Sequence, residues 1–243
     1  MASMELTIIH ELDKALLEES VRFLKTALPI EKLNFLDITK FKSRSLGPES
    51  FIYTFHLDLN TEMQKHQEVS HWASKNGLKE INSYDSFFDD KYSFYNFLLA
   101  NGIKTPRTEI LGSQNSIINN LVIKARHGTE KKDFCALDDL DLDAKEIAKI
   151  QSYDDVLLQE RIDIAQEYKY LYCNGELYAQ QRNKPKVKEF ALTIAKKISA
   201  DYSQKIFSID IVEDREESLF CLEANLRPAA LYQFKVLVQG STN

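Results

Sequence analysis

The chain has 243 residues, enough for one large domain or two small ones, and its 44% hydrophobic and 28% charged content is ordinary for a folded globular protein. A net charge of −6, with Lys184, Lys186 and Lys188 as the longest basic cluster, provides no electrostatic footprint for nucleic acid or an anionic membrane. No apolar run is long enough to span a bilayer, and MASMELTIIHELDK at the N-terminus lacks a basic region followed by an apolar core, so a cytoplasmic protein without a membrane partner is expected. Cys135, Cys173 and Cys221 are far apart with no CxxC, which predicts buried free thiols rather than a disulfide or a zinc site. His66 and His71 are five apart, off a common helical face, and the histidines offer no metal spacing.

Residues 6–9 read as a first strand. Residues 14–28 carry Leu16, Leu17, Val21, Leu24 and Leu28 at helical spacing and end before Pro29. Residues 33–38 and 51–55 read as further strands, and residues 62–76 as a helix closed by Gly77. Strands alternating with helices over residues 1–80 predict a small α/β domain with a parallel sheet, and no glycine-rich dinucleotide fingerprint lies within it.

Residues 81–108 read INSYDSFFDDKYSFYNFLLANGIKTPRT. Asp85 or Ser86 would cap a helix that runs to Ala100 and stops at Asn101-Gly102, and Pro106 opens an extended segment. In NLVIKARHGTEKKDF, residues 120–134, a strand over 121–123 is closed by Lys124 and followed by a turn at Gly128. The acidic run DDLDLD, residues 138–143, reads as a solvated loop, with Asp143 capping a short amphipathic helix over 144–150. VLLQERI, residues 156–162, reads as a buried strand running into a charged pair. Residues 168–173 and 177–181 form a hairpin across Asn174-Gly175, a strong two-residue turn signal, and Arg182 ends its second strand. Residues 187–200 form an amphipathic helix with Val187, Phe190, Ala191, Ile194, Ala195 and Ile198 inward.

The chemistry concentrates in residues 208–229, SIDIVEDREESLFCLEANLRPA. Ile209, Ile211 and Val212 lie before a turn over 213–217 that is too charged to be buried; Leu219, Cys221 and Leu222 lie after it, which predicts a hairpin. Asp210 is on the first strand and Glu223 and Asn225 are on the second, two apart and therefore on one face. Two carboxylates and an amide oxygen make a hard, oxygen-only site that suits Mg²⁺, which takes one or two carboxylates and leaves room for phosphates. An acidic, solvated sheet face accounts for the same residues without a metal.

These stretches, in this order, resemble the ATP-grasp enzymes over about residues 81–237. An Asp followed some dozen residues later by Glu-x-Asn resembles the metal-binding hairpin of that superfamily, which implies Asp210, Glu223 and Asn225 as Mg²⁺ ligands. The pattern DK…L…GI…P.T, and a strand ending in lysine before a loop, resemble its two phosphate-binding lysines, Lys91 and Lys124, each a point charge toward the nucleotide. The loop after Lys124 departs from the family, which has several glycines there; this chain has Gly128, with His127, Thr129, Lys131 and Lys132 to supply contacts. Gln159, Glu160, Arg161 and Ile162 resemble the interdomain hinge, whose backbone pairs with the adenine edge, and Glu167 stands where the D-alanine ligase branch has a ribose-binding acid. The hairpin resembles E-x-R-V…G…A…R, with Lys169 where many members carry arginine and Arg182 as the terminal arginine that meets the reacting acyl phosphate or γ-phosphate. Arg227, in N-x-R-P, is similar to the amino-acid ligase and carboxylase branches rather than to the D-alanine ligase branch. It is expected to grip a carboxylate or acyl phosphate, with a salt bridge to Glu160 or Glu167 as the structural alternative.

The resemblance implies an α/β plus α+β architecture: a small N-terminal α/β (pre-ATP-grasp) domain over residues 1–80 and an ATP-grasp domain over 81–243, with a lid lobe at about 104–158 and a C-terminal lobe at about 159–243. It implies ATP and Mg²⁺ as cofactors and an ADP-forming ligase that joins a carboxylate to an amine through an acyl phosphate. The alternatives are a regulatory ATP-binding module or a phosphotransferase on the same fold. The implied partners are small-molecule or peptide carboxylate and amine substrates, with no nucleic acid, and with a homodimer as an admissible assembly.

Overall fold

A computed structural model describes residues 4–10, 14–43, 46–47, 50–55, 62–84, 90–111, 121–126, 135–136, 156–180, 184–202 and 206–225. The chain divides into two compact units, one of Met1–Asp85, Tyr168–Asp210 and Ala224–Asn243, the other of Ser86–Glu167 and Ile211–Glu223.

The first unit contains the parallel sheet that the strand–helix alternation predicts. Strands β1 (Met4–His10), β2 (Ile30–Asp37), β3 (Phe51–Phe55) and β4 (Lys79–Ile81) stand in the order β2-β1-β3-β4, all parallel. Helices α1 (Lys14–Ala27) and α2 (Glu62–Lys75) supply the crossovers. Alternation sends Leu6, Ile8 and Tyr53 to one face, where they pack with Val21, Leu24 and Leu28, and sends Ile9 and Ile52 to the other, where they meet Val69 and Ala73 of α2. Strand β2 begins at Ile30, earlier than its apolar residues suggest, because its exposed Glu31 and Lys32 carry no burial signal. Strand β4 is three residues long, too short for alternation to be legible.

Helix α2 ends as expected at Gly77. Its φ of 66° lets its own N–H reach the Ser74 carbonyl at 3.1 Å and that of Leu78 reach Ala73 at 3.0 Å. The predicted hairpin is also present: β9 (Ile164–Cys173) pairs antiparallel with β10 (Glu176–Ala179), and Asn174 (φ 50°) and Gly175 (φ 97°) are both left-handed, as a type I′ turn demands. Strand β10 stops at Ala179, and Arg182 lies outside the described residues. Helix α4 (Pro185–Tyr202) buries Val187, Ala191, Ile194, Ala195 and Ile198, while Phe190 is only partly buried. Strands β11 (Ile206–Asp214) and β12 (Leu219–Asn225) complete a sheet of order β10-β9-β11-β12. Leu171, Cys173 and Ile206 join the cluster around Leu6, Ile8 and Tyr53.

The second unit carries an antiparallel sheet of β5 (Thr108–Ile110), β6 (Leu121–Ala125), β7 (Cys135–Ala136) and β8 (Val156–Glu160), in the order β5-β8-β6-β7. Helix α3 (Lys91–Ala100) stops at Asn101-Gly102 as predicted, with Gly102 at φ 68° and the Ile103 N–H bonded to Leu98 at 2.9 Å. Its cap is Asp90 rather than Asp85 or Ser86; the Asp90 carboxylate accepts the N–H groups of Tyr92 and Ser93. The turn between β11 and β12 is shorter than its charges suggest. Glu213 is buried within β11, against the expectation that residues 213–217 all lie at the surface. The turn starts two residues later, after Asp214, whose carboxylate holds it by accepting the N–H groups of Glu216 and Ser218 at 2.9 and 2.8 Å. The segments over 127–134 and 137–155, including the predicted acidic loop and short helix, lie outside the described residues.

Cys173 and Cys221 are buried free thiols, as expected, and burial pushes the Cys173 thiol up to about 12, which makes it inert. No helix among the described residues is long and apolar enough to cross a membrane.

One residue ties β4 to β11. Asn82, left-handed at φ 56° and buried, donates through Nδ2 to the Ile206 carbonyl and accepts the Ile206 N–H at 3.1 Å. Replacing Asn82 with Ala removes both bonds and leaves an alanine where φ is positive. Urea unfolding of Asn82→Ala is therefore expected to show a loss of about 2–4 kcal/mol.

Candidate nucleotide site

In the second unit the site is built around an ion pair. The Arg126 guanidinium donates from Nε to Asp90 Oδ1 at 2.8 Å and from Nη2 to Oδ2 at 2.7 Å, the bidentate fit of a planar fork to a carboxylate. Burial alone would raise the Asp90 carboxyl, but the Arg126 bonds, helped by the Ser93 hydroxyl and N–H, outweigh it and hold it well below the usual carboxylate range. The Lys91 N–H donates to the Arg126 carbonyl at 3.0 Å. The start of α3 is thus fastened to the end of β6 by side chain and backbone together. Lys91 follows Asp90 directly, and Lys124 is two residues before Arg126, so the clamp fixes the two lysines relative to each other.

The electrostatics register that proximity. Burial pushes the Lys124 ammonium down to about 8; the Glu223 carboxylate opposes the shift, and the positive charge of Lys91 adds to it. Two lysines and a carboxylate that the sequence assigns to phosphate and metal binding therefore interact within one unit. On β12, Glu223 and Asn225 are partly exposed and Ala224 between them is buried, so the two candidate ligands share a face as alternation requires.

The hinge candidates follow β8. The Gln159 side chain is buried and donates to the Thr108 hydroxyl at 2.9 Å, which fastens β8 to β5. The Glu160 N–H donates to the Arg107 carbonyl at 2.8 Å, and its carboxylate accepts the Arg107 N–H at 3.2 Å. Arg161 is exposed and Ile162 partly so, outside any strand, and Glu167 is exposed on β9. In the first unit, Lys169 of β9 contacts both oxygens of Asp210 on β11, at 3.0 and 3.1 Å. Arg182 and Arg227 lie outside the described residues. Asp90 and Arg126 are the functional positions that motif reading passes over. The available signal was their adjacency to the two lysines, in DDK and in IKAR.

Among the described residues no three His, Cys, Asp or Glu side chains gather as a metal site. The donor set of Asp210, Glu223 and Asn225 still fits Mg²⁺, which needs only one or two carboxylates and completes its shell with amide, water and phosphate oxygens. The Asp210 carboxylate already receives a cationic group on both oxygens.

No family model matches the chain, and no curated protein matches it. Solved structures do. The ATP-grasp ligase PsnB complexed with minimal precursor matches with a TM-score of 0.66 at 15% identity, covering 93% of this chain and 91% of that one. D-cycloserine synthetase DcsG matches with a TM-score of 0.67 at 13% identity, covering 94% and 93%. The chain has the ATP-grasp fold. Macrocyclase MdnC bound with precursor peptide MdnA, from Microcystis aeruginosa, shares it with a TM-score of 0.66 at 11% identity over 93% and 92% of the two chains. These likenesses run well beyond residues 81–237, so the N-terminal α/β layers belong to the same architecture. At such identities they fix the ATP-grasp fold alone, and the chemistry has to be argued from the residues.

The lowered Lys124 value has a consequence for stability. Its folded value of about 8 lies below the reference of 10.5, so holding the charge opposes folding, fully so below pH 8. Between about pH 8 and 10.5 the unfolded chain keeps a proton that the folded chain has lost, so stability rises with pH in that window. Lys124→Met is expected to raise the unfolding free energy at pH 7 by about 1–3 kcal/mol, with the advantage shrinking above pH 8. Denaturant unfolding of both proteins at pH 7 and pH 10 checks the sign.

Proposed function

We propose that the chain is an ATP-dependent ligase that joins a carboxylate to an amine and releases ADP and phosphate. The observation that carries this reading is the pairing of Lys91 with Lys124, beside Glu223, on an ATP-grasp scaffold. A desolvated lysine beside a second lysine is costly; the Glu223 carboxylate offsets part of that cost, and an anion of high charge would offset more. A nucleoside polyphosphate is such an anion: PsnB structures of the same architecture contain AMPPNP in one case and Mg with ADP in another.

In this reading Lys91 and Lys124 hold the nucleotide phosphates, and Glu167 accepts the ribose hydroxyls. The Glu160 N–H is already committed to Arg107, so the adenine edge pairs with backbone further along, at Arg161 and Ile162. The Gln159 side chain fastens β8 to β5 at the start of this hinge. Asp210, Glu223 and Asn225 would hold Mg²⁺, which would supply positive charge against the nucleotide phosphates. A substrate carboxylate oxygen attacks the γ-phosphorus, the bond to ADP breaks, and an acyl phosphate forms. An amine then attacks the acyl carbon, phosphate leaves, and the amine nitrogen loses a proton. Arg182 and Arg227 stabilise the acyl phosphate and its tetrahedral adduct, which calls for charge and positioning but no nucleophilic side chain. Residues 1–80 form the substrate-side domain and residues 81–243 the ATP-grasp domain. The carboxylate belongs to a small molecule or a peptide; MdnC, matched over most of both chains, is bound with a precursor peptide.

A regulatory nucleotide-binding module is the second reading, favoured by the Lys169 ammonium on Asp210. Turnover separates the two. Purified protein is expected to release ADP from ATP and Mg²⁺ when the right carboxylate or peptide is supplied, with hydroxylamine trapping the acyl phosphate. Glu223→Gln, which keeps the shape and loses one charge, should abolish that release without unfolding the protein. An unchanged rate would remove Glu223 from the metal set, and ATP binding with no turnover across a broad carboxylate and peptide panel would favour the regulatory module.

Nucleotide binding is tested on its own by calorimetry. The parent is expected to bind ATP, and Glu167→Ala to bind it more weakly by about 1.5–3 kcal/mol, the contribution of a charge-assisted partner. Absence of binding by the parent at millimolar ATP would refute the nucleotide site as a whole.

A further inference from the structure

We propose that Lys169 is a built-in competitor for the divalent cation at Asp210: its ammonium grips the carboxylate oxygens that the metal requires, so Lys169 must release Asp210 for the metal to load. The proposal rests on the ligase reading for the identity of Asp210 as a ligand. Its own ground is geometric. Lys169 Nζ is 3.0 Å from Asp210 Oδ1 and 3.1 Å from Oδ2, astride both oxygens rather than against one. The two residues stand on β9 and β11, neighbours in the sheet β10-β9-β11-β12, so strand pairing rather than a loop sets their approach.

Exposure makes the arrangement reversible. The Lys169 side chain is 36% exposed and that of Asp210 is 23% exposed, so the ammonium has water on one side into which it can swing. A lysine suits this task. It is a compact charge on a flexible stem, whereas the planar fork of an arginine holds a carboxylate in a fixed bidentate geometry. A carboxylate has lone pairs enough for two partners, but a monovalent and a divalent cation crowded on the same pair of oxygens repel each other. Metal arriving with nucleotide phosphates would therefore displace Lys169.

The test uses the full chain and needs no substrate. In EDTA, Lys169→Met is expected to unfold at a lower temperature than the parent, because an ion pair is lost. Millimolar Mg²⁺ with ADP should then raise its unfolding temperature by more degrees than it raises the parent's. A merely structural ion pair would not be rescued by metal. In parallel, Mn²⁺ dissociation constants read by electron paramagnetic resonance in saturating ADP should tighten on the order of 10-fold in Lys169→Met. Lys169→Gln, which keeps a hydrogen bond without the charge, should tighten likewise, and Lys169→Arg should stay at or above the parent value. Asp210→Asn should abolish the metal response in either background. Equal Mn²⁺ affinity in the parent, Lys169→Met and Lys169→Gln, with Asp210→Asn still abolishing binding, would overturn the competitor role and leave the metal assignment standing. Mn²⁺ binding that ignores Asp210→Asn would overturn both.

Discussion

The site depends on keeping two ammonium groups close together. Lys91 and Lys124 repel, and Lys124 is pushed toward neutrality by burial with Lys91 adding to the shift. That repulsion acts between the start of α3 and the end of β6, which the Lys91 N–H already joins through the Arg126 carbonyl at 3.0 Å. The bidentate Arg126–Asp90 pair adds a second fastening where the chain enters the helix, because Asp90 is also the cap of α3. One carboxylate thus serves helix initiation, strand attachment and the placing of two cations. Its low proton affinity follows from those bonds, which outweigh the opposing effect of burial.

The candidate hinge obeys a related constraint. A backbone that is to pair with a ligand must not already be paired, yet it must be held still. Here the holding is done upstream. Gln159 bonds to Thr108, and Glu160 uses both its N–H and its carboxylate on Arg107, so β5 and β8 form a fixed edge. The chain leaves strand pairing at Arg161, immediately beyond that edge. Arg161 and Ile162 follow these fixed anchors at once, outside any strand.

Where local chemistry decided the structure, the sequence was legible. Asn174-Gly175 needs two left-handed residues and has them; Gly77 and Gly102 end helices because their positive φ lets the next N–H groups reach back. Helix α4 was legible because its apolar stripe has one period throughout. Long-range pairing decided the rest. Glu213 looks like surface by composition and is buried because β11 continues through it, a matter of strand pairing rather than residue type. The true cap of α3 was hidden by a run of acids in which Asp90 is distinguished only by Arg126, thirty-six positions away. The bond from the Gln159 side chain to Thr108 was not legible, because only the β5–β8 register brings the two together. At the candidate site, residue types and spacing revealed which groups carry charge, but not which of those charges balance one another.

That balance gives the two conspicuous lysines opposite characters. Lys124 is a cation with burial and the charge of Lys91 against it and the Glu223 carboxylate in its favour, and an anion of high charge would add to that carboxylate. Lys169 is a cation already satisfied by a carboxylate, and a stronger cation at that carboxylate would release it. A nucleotide triphosphate with its metal brings both reagents at once: phosphate oxygens to the first lysine and a divalent ion to the partner of the second. Free nucleotide supplies only the first, and free metal only the second. A chain with these two arrangements should respond most strongly to the metal–nucleotide complex, without any residue dedicated to recognising the complex as such.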